Sequence, residues 1–137
     1  MNLSFREKSL WIQATGLVIA FGLYFWQVPG AQGPDIGPRL VSQFIGAVVL
    51  LALFMVAGHA LAALADRRTE PDERDRWISL VGDRLGGFVL GCAVFASLCV
   101  ALAIPGNFAF THVLLAGWVA AELASVVAQI VLQRRGA

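Results

Sequence analysis

The chain has 137 residues, of which 58% are hydrophobic and only 14% are charged, and its formal net charge is +1. Soluble domains carry about 25% charged residues, so this composition excludes an ordinary water-soluble globular protein. The near-neutral overall charge gives no reason to expect direct binding to nucleic acid.

Four apolar stretches predict four membrane-spanning helices, at approximately 9–28, 40–64, 78–104 and 109–132. A helix rises about 1.5 Å per residue and a bilayer core is about 30 Å thick, so each stretch is long enough to cross. Nothing alternates as a barrel strand does. The predicted fold is therefore all-α, with residues 1–137 forming one integral membrane domain, a four-transmembrane-helix bundle.

Lysine and arginine residues lie almost entirely on one side of these spans. Eight precede the first span, separate the second from the third, or follow the fourth: Arg6, Lys8, Arg67, Arg68, Arg74, Arg76, Arg134 and Arg135. Only Arg39 lies on the opposite side. Because cytoplasmic loops are enriched in Lys and Arg, we expect a multi-pass protein of the inner (plasma) membrane with both termini cytoplasmic.

The loop between the second and third spans, DRRTEPDERDR (66–76), carries nearly all of the water-facing polarity. Nine of its eleven residues are charged, five acidic and four basic. One interpretation is a solvated connector whose charges neutralise each other. The other is a docking surface for a cytoplasmic protein, with five candidate residues: Asp72, Glu73, Arg74, Asp75 and Arg76.

Glu122 is the only acidic or basic side chain within the fourth span, apart from the titratable His112. A charge deep in a spanning helix costs about 2.5–3.5 kcal/mol on the insertion scale, so it usually has a partner or a function. Ser125 and Gln129 follow at i+3 and i+7 and share its helix face. Two interpretations stay open: hydrogen bonding between helices, or a proton- or ion-responsive site.

Asp83 and Arg84 precede the twenty apolar residues that complete the third span. They are interpreted as lying at the inner interface, with Arg84 extending toward the headgroups. Helical rises place Arg84 about 9 Å, and Glu122 about 15 Å, from the inner ends of their spans. Since a short turn joins these two spans, they must be antiparallel neighbours. The sequence therefore also predicts an Arg84–Glu122 ion pair.

Small residues recur along the third span. Gly82 and Gly86, like Gly87 and Gly91, are separated by three residues, the spacing at which helices pack closely in membranes. We therefore expect the third span to be the most crowded helix, either inside the bundle or at the seam of a homodimer.

The sequence contains no recognisable catalytic, phosphate-binding or zinc-binding motif. No nucleophile–base set, phosphate loop or zinc signature occurs, so we expect no enzyme activity, cofactor or metal. His59 and His112 should lie roughly 20 Å or more apart along the membrane normal, too far to share a haem. Cys92 and Cys99 match no redox or zinc pattern and are interpreted as small packing residues.

Three motifs carry a resemblance: FREKSLWI at the start, DERDRWI with a following Asp-Arg in the third helix, and AELASVVAQIVLQRRG near the end. They resemble a family of small uncharacterised bacterial four-helix membrane proteins, a domain of unknown function. The resemblance implies no catalytic role. It implies that six residues belong to a shared pattern: Asp72, Glu73, Arg74, Asp75, Arg84 and Glu122. The family has bulkier residues where this chain has Gly86-Gly87, which implies that close helix contact there is particular to it.

Two functions stay open from the sequence. The first is a non-enzymatic regulatory or accessory protein whose loop 66–76 docks a cytoplasmic partner. Genes of the resembled family often lie beside small helix-turn-helix regulators, which implies such a regulator as the partner. The alternative is a small oligomeric transporter or ion-conducting protein that uses Glu122. The lipid bilayer surrounds the protein in both cases.

Overall fold

The computed structural model describes residues 5–30, 33–65 and 73–135. Within these ranges the protein is all-helical and contains no strand. The helices are α1 (Phe5–Gln27), α2 (Pro38–Ala65), α3 (Glu73–Ala103) and α4 (Phe108–Arg135), with a short 3-10 turn at Val28–Gly30. Each of the four α-helices is long and apolar enough to cross a membrane.

Helical structure extends beyond the apolar stretches that the sequence marks. The helix containing the third predicted span begins at Glu73, and the one containing the fourth continues to Arg135. Backbone hydrogen bonding continues through these charged turns because polar side chains there do not interrupt it. Pro38 opens α2 in the position where its missing N–H is not needed. The carbonyl of Gly37 accepts the bond from the Leu40 N–H at 3.0 Å.

The four helices are arranged in the order α2, α1, α4, α3. Helix α1 packs against α2 and α4, and α4 packs most extensively against α3, whereas α2 and α3 make no comparable contact with each other. Helices α1 and α4 are therefore central and bury larger shares of their spans than the two flanking helices. The prediction that the third span lies inside the bundle is wrong, because α3 lies at the edge of the single chain and packs extensively only against α4. The alternative, a homodimer seam, stays a prediction.

An apolar core lies between α1, α2 and α4. Leu17, Ala20 and Phe21 are almost fully buried there, and Trp118 and Leu115 of α4 pack against them. The rings of Phe21 and Trp118 meet edge to face, with centroids 5.5 Å apart. Such a pair contributes about 0.5–1.5 kcal/mol beyond its buried area. This core joins the two central helices to each other.

The bundle has two chemically different ends. The charged end is formed by the start of α1, the end of α2, the start of α3 and the end of α4. The loop end is formed by the other four helix termini. At the loop end, the Ile36 N–H donates to Asn107 Oδ1 at 2.8 Å, and the Asn107 N–H donates to Asp35 Oδ1 at 3.1 Å. The segment before α2 is thus bonded directly to the turn between α3 and α4.

Candidate functional site

Polar side chains of three helices meet at the charged end of the bundle. We call the bonded set the charged-end network; its members are Arg6 of α1, Asp75, Ser79 and Asp83 of α3, and Ser125, Gln129 and Gln133 of α4. It includes three of the sequence-predicted intramembrane residues, Asp83, Ser125 and Gln129.

Arg6 lies at the centre of this network. Its Nη2 donates to Gln129 Oε1 at 3.0 Å and also to the hydroxyl of Ser79. Its Nε lies 3.9 Å from Asp75 Oδ1, and the arginine side chain is only 22% exposed. A single guanidinium therefore binds both α3 and α4 to α1, because its planar group presents several donors in fixed directions.

The network continues from Arg6 into the bundle. Gln129 Nε2 donates to Ser125 Oγ at 3.2 Å, and Ser125 Oγ donates to Asp83 Oδ1 at 3.1 Å. Asp75 and Asp83 are eight residues apart on α3, so the network extends about 12 Å along the helix axis. Most of these polar groups are hydrogen-bonded to each other, whereas Arg6 Nε and Gln133 Oε1 are buried without a hydrogen-bond partner among the described residues.

Close approach of α3 and α4 makes these bonds possible, and two glycines permit it. A Cβ added at Gly82 would lie 2.9 Å from the carbonyl oxygen of Ser125. A Cβ at Gly86 would lie 3.0 Å from the carbonyl oxygen of Ala121. Both glycines are buried against α4. They therefore perform the helix packing expected of small residues in membrane helices.

The other predicted packing residues lie on the outside of α3. Gly87 and Gly91 are exposed, and a Cβ at either position would meet nothing within 4 Å. Cys92 and Cys99 are also exposed and free, so their interpretation as packing residues is wrong for the single chain. Successive helix positions differ by 100°, and this rotation separates Gly86 from Gly87.

Glu122 is partly buried and faces α1. Its Oε2 accepts a hydrogen bond from Gln13 Nε2 at 3.5 Å, a long bond. Arg84 is exposed on α3 and has neither a hydrogen bond nor an ion pair with any described residue. The predicted Arg84–Glu122 pair is therefore wrong. Depth counting placed the two side chains at similar levels, but Glu122 faces α1, whereas Ser125 faces α3.

The predicted docking residues that the structure describes differ in their exposure. Asp72 lies outside the described residues. Asp75 points into the bundle, where it accepts a hydrogen bond from Gln133 Nε2 at 3.4 Å beside Arg6. Glu73, Arg74 and Arg76 are exposed.

Among the described residues, the exposed charges at the charged end are mainly basic. Arg74 and Arg76 of α3 and Arg134 and Arg135 of α4 are all exposed there. Arg74 donates to the carbonyl oxygen of Gln133 at 3.4 Å, which holds it beside α4. We call these four arginines the basic surface. Because Asp75 points inward, this surface is more positive than the mixture of acidic and basic residues in the sequence indicates.

The two histidines join helix pairs at opposite ends. Each Nδ1 lies 2.7 Å from the backbone carbonyl oxygen four residues earlier, so Nδ1 carries the hydrogen. Nε2 of His112 therefore accepts from the Tyr24 hydroxyl at 3.0 Å, and Nε2 of His59 accepts from the Ser9 hydroxyl at 2.8 Å. Among the described residues, no group of three metal-ligating side chains comes together.

An apolar layer separates Glu122 from His112. The two residues are ten positions apart on α4, about 15 Å along the axis. Leu115, Trp118 and Val119 lie between them and pack against α1. Beside this layer, an apolar cavity of about 620 Å³ lies between α1, α2 and α4, in the half of the bundle nearer the loop end.

Four residues of the site were not identified from the sequence. Arg6, Gln13 and Gln133 bind predicted site residues, and Ser79 binds Arg6. A signal for two of them exists, because Arg6, Ser9 and Gln13 recur at three- and four-residue spacing and so share one face of α1. Ser79 has no comparable signal, since a lone serine in an apolar helix is common.

Comparison with protein-family models, with curated proteins and with solved structures finds no match for this chain. The family resemblance of the three sequence motifs therefore stays a prediction.

Proposed function

We propose that the chain is a non-enzymatic accessory or regulatory protein of the inner membrane, which docks a cytoplasmic protein on its charged end. The proposal places both termini and residues 66–76 in the cytoplasm and residues 29–38 outside. Eight of the ten Lys and Arg residues belong to the charged end, which supports this orientation. Reporter fusions test it: a C-terminal fusion active only outside the cytoplasm would contradict the orientation.

The basic surface is the observation that carries the docking proposal. Its four arginines project from two adjoining helices. Asp75, one of the carboxylates expected to neutralise them, points inward, and Glu7 accepts from one of the four, Arg134, at 3.1 Å. Charges arranged this way favour a partner with an acidic surface, because complementary potentials speed encounter and fix orientation. The proposed partner is a small cytoplasmic regulator that presents such a surface.

A pull-down from native membranes tests the docking proposal. Three variants are compared with the parent protein: Arg74→Ser with Arg76→Ser, a scramble of residues 66–72 at constant composition, and Arg39→Ser at the loop end as a matched charge control. We expect one cytoplasmic protein to be recovered with the parent and Arg39→Ser, and lost with the other two. Equal recovery with all variants would contradict docking and leave the arginines as contacts to anionic headgroups.

The apolar layer supports this function over transport. A transporter that used Glu122 would need a polar path continuing from Glu122 to the loop end. In the described chain, Leu115, Trp118 and Val119 occupy that region and pack against Leu17 and its neighbours on α1. Glu122 is therefore assigned a role in holding α1 and α4 together through Gln13.

A further inference from the structure

The outer face of α3 carries a regular row of exposed residues. Their spacing alternates between three and four positions along the whole helix: Trp77, Leu80, Arg84, Gly87, Gly91, Val94, Leu98 and Ala101. We call this row the α3 seam. All eight positions are exposed, and the buried residues of α3 lie on the opposite side, against α4. Alternating spacing of three and four is the pattern by which two helices pack along a shared seam.

A charge interrupts this otherwise uncharged seam. Arg84 follows Leu80 and precedes Gly87, so its guanidinium emerges between apolar or small neighbours. It has no hydrogen bond or ion pair with any described residue. Asp83, the residue before it, is also exposed and uses Oδ1 to accept from Ser125. One positive and one negative side chain therefore lie next to each other at the same level of an uncovered face.

From these observations we propose that a second copy of this chain covers the α3 seam, forming a two-fold dimer in which Arg84 of each copy pairs with the partner's Asp83. Copies of one protein insert in the same orientation, so the two α3 helices are parallel. In a parallel pair, the residue preceding each seam position flanks the partner's seam residue. The arrangement is self-complementary, as a two-fold interface requires.

The glycines of the seam determine how closely the two helices can approach. Neither Gly87 nor Gly91 meets any atom within 4 Å of a built Cβ, so both are open to a second helix. Small residues let membrane helices make close backbone contact. The resulting van der Waals packing stabilises the pair, since lipid provides no hydrophobic driving force for association. This inference goes beyond the docking proposal and does not depend on it, because it concerns a membrane-embedded face rather than the basic surface.

Disulfide crosslinking tests the seam, and the native cysteines supply matched controls. Cys99 follows Leu98 and Cys92 follows Gly91, so each lies about 100° away from the seam at the same depth. The experiment uses purified protein in phosphatidylcholine liposomes treated with copper phenanthroline. Leu98→Cys and Val94→Cys are each placed in a background carrying Cys92→Ala and Cys99→Ala.

We expect a dimer band with either seam cysteine and none with Cys92 alone or Cys99 alone. Two seam positions are used so that the failure of one variant to fold does not decide the result. Equal crosslinking at seam and off-seam positions, or none at any seam position, would overturn the proposal and leave the seam covered by lipid.

A charge substitution tests the ion pair separately. Arg84→Gln should weaken dimerisation by about tenfold, measured by energy transfer between labelled copies as lipid is added, since two interhelical contacts are lost. Arg39→Gln, which removes an exposed arginine at the loop end, should leave the transfer curve unchanged. Because Arg84 has no partner among the described residues of its own chain, Arg84→Gln should not change the thermal stability of the monomer. An unchanged dimer with Arg84→Gln would overturn the assigned pair.

Discussion

Gln13 of α1 and Glu122 of α4 lie side by side, with Gln13 Nε2 3.5 Å from Glu122 Oε2. The carboxylate therefore belongs to the contact between the two central helices. Ser125, one turn nearer the charged end, is bonded to Asp83 and Gln129. Glu122 thus lies three residues, about 4.5 Å along α4, beyond the charged-end network rather than alone in an apolar span.

Gln13→Leu should destabilise the protein, because it removes the only donor that Glu122 has among the described residues. The contact is long, so we expect the free energy of unfolding to fall by about 0.5–1.5 kcal/mol. Unfolding by denaturant in excess detergent, where any dimer is dissociated, measures this. The matched control is Arg84→Met, expected to change stability by less than about 0.5 kcal/mol. A larger loss with Arg84→Met than with Gln13→Leu would restore the ion pair that the geometry excludes.

Arg6→Met should have a larger effect, because this guanidinium joins three helices. Its loss removes the bonds to Gln129 and Ser79 and leaves Asp75 without its cation. We expect about 1.5–3 kcal/mol of destabilisation, the range for hydrogen bonds to charged groups. Arg39→Met controls for the loss of one arginine at the opposite end. Equal stability of the two variants would mean that the charged-end network does not hold α1 in place.

Gly82→Ala and Gly87→Ala should differ although both glycines lie in the same helix. A Cβ at Gly82 would meet Gln129 Cγ at 2.5 Å and the Ser125 carbonyl oxygen at 2.9 Å, whereas one at Gly87 meets nothing. We expect Gly82→Ala to cost about 1–3 kcal/mol through overpacking. Gly87→Ala should be neutral or gain up to about 1 kcal/mol from helix propensity. Thermal unfolding in excess detergent compares them, and the reverse order would contradict the α3–α4 contact.

Gly106→Ala tests the loop end. Gly106 has a φ of 86°, and a Cβ there would overlap the carbonyl oxygen of Pro34. Gly33 also has a positive φ, 121°, but open space around it. Both substitutions strain the backbone by about 1–2 kcal/mol, and only Gly106→Ala adds a clash that also disturbs the Phe108–Pro34 bond. Gly106→Ala should therefore lower the melting temperature more than Gly33→Ala. Equal shifts would mean that the backbone contact between Gly106 and Pro34 is not rigid.

Sequence patterns predicted the helices well because apolar length is a one-dimensional property. The Pro105-Gly106-Asn107 turn also correctly predicted that α3 and α4 are neighbours. The charged turns at helix ends were missed, since hydropathy marks the apolar part of a helix and not its hydrogen bonding. Helix α3 therefore begins at Glu73, five residues before the predicted span 78–104.

The sequence could not predict which side chains bond to each other across helices, because this depends on how each helix is rotated about its axis. Depth counting placed Arg84 and Glu122 at compatible heights. Glu122 nonetheless faces α1 while Ser125, 60° away around α4, faces α3. The same limit applies to Gly86 and Gly87, which are adjacent in sequence and lie on different faces. The helix order, with α3 at the edge, has no signal in the sequence.

A proton-flux assay in proteoliposomes tests the central claim, that Glu122 holds helices together and does not carry protons or ions. Liposomes containing the parent protein or Glu122→Gln are loaded with a pH-sensitive dye and given a proton gradient with a potassium–valinomycin potential. Because apolar side chains pack between α1 and α4 in the roughly 15 Å that separates Glu122 from His112, we predict that both preparations leak no faster than protein-free liposomes. Proton entry with the parent protein that Glu122→Gln abolishes would contradict the account.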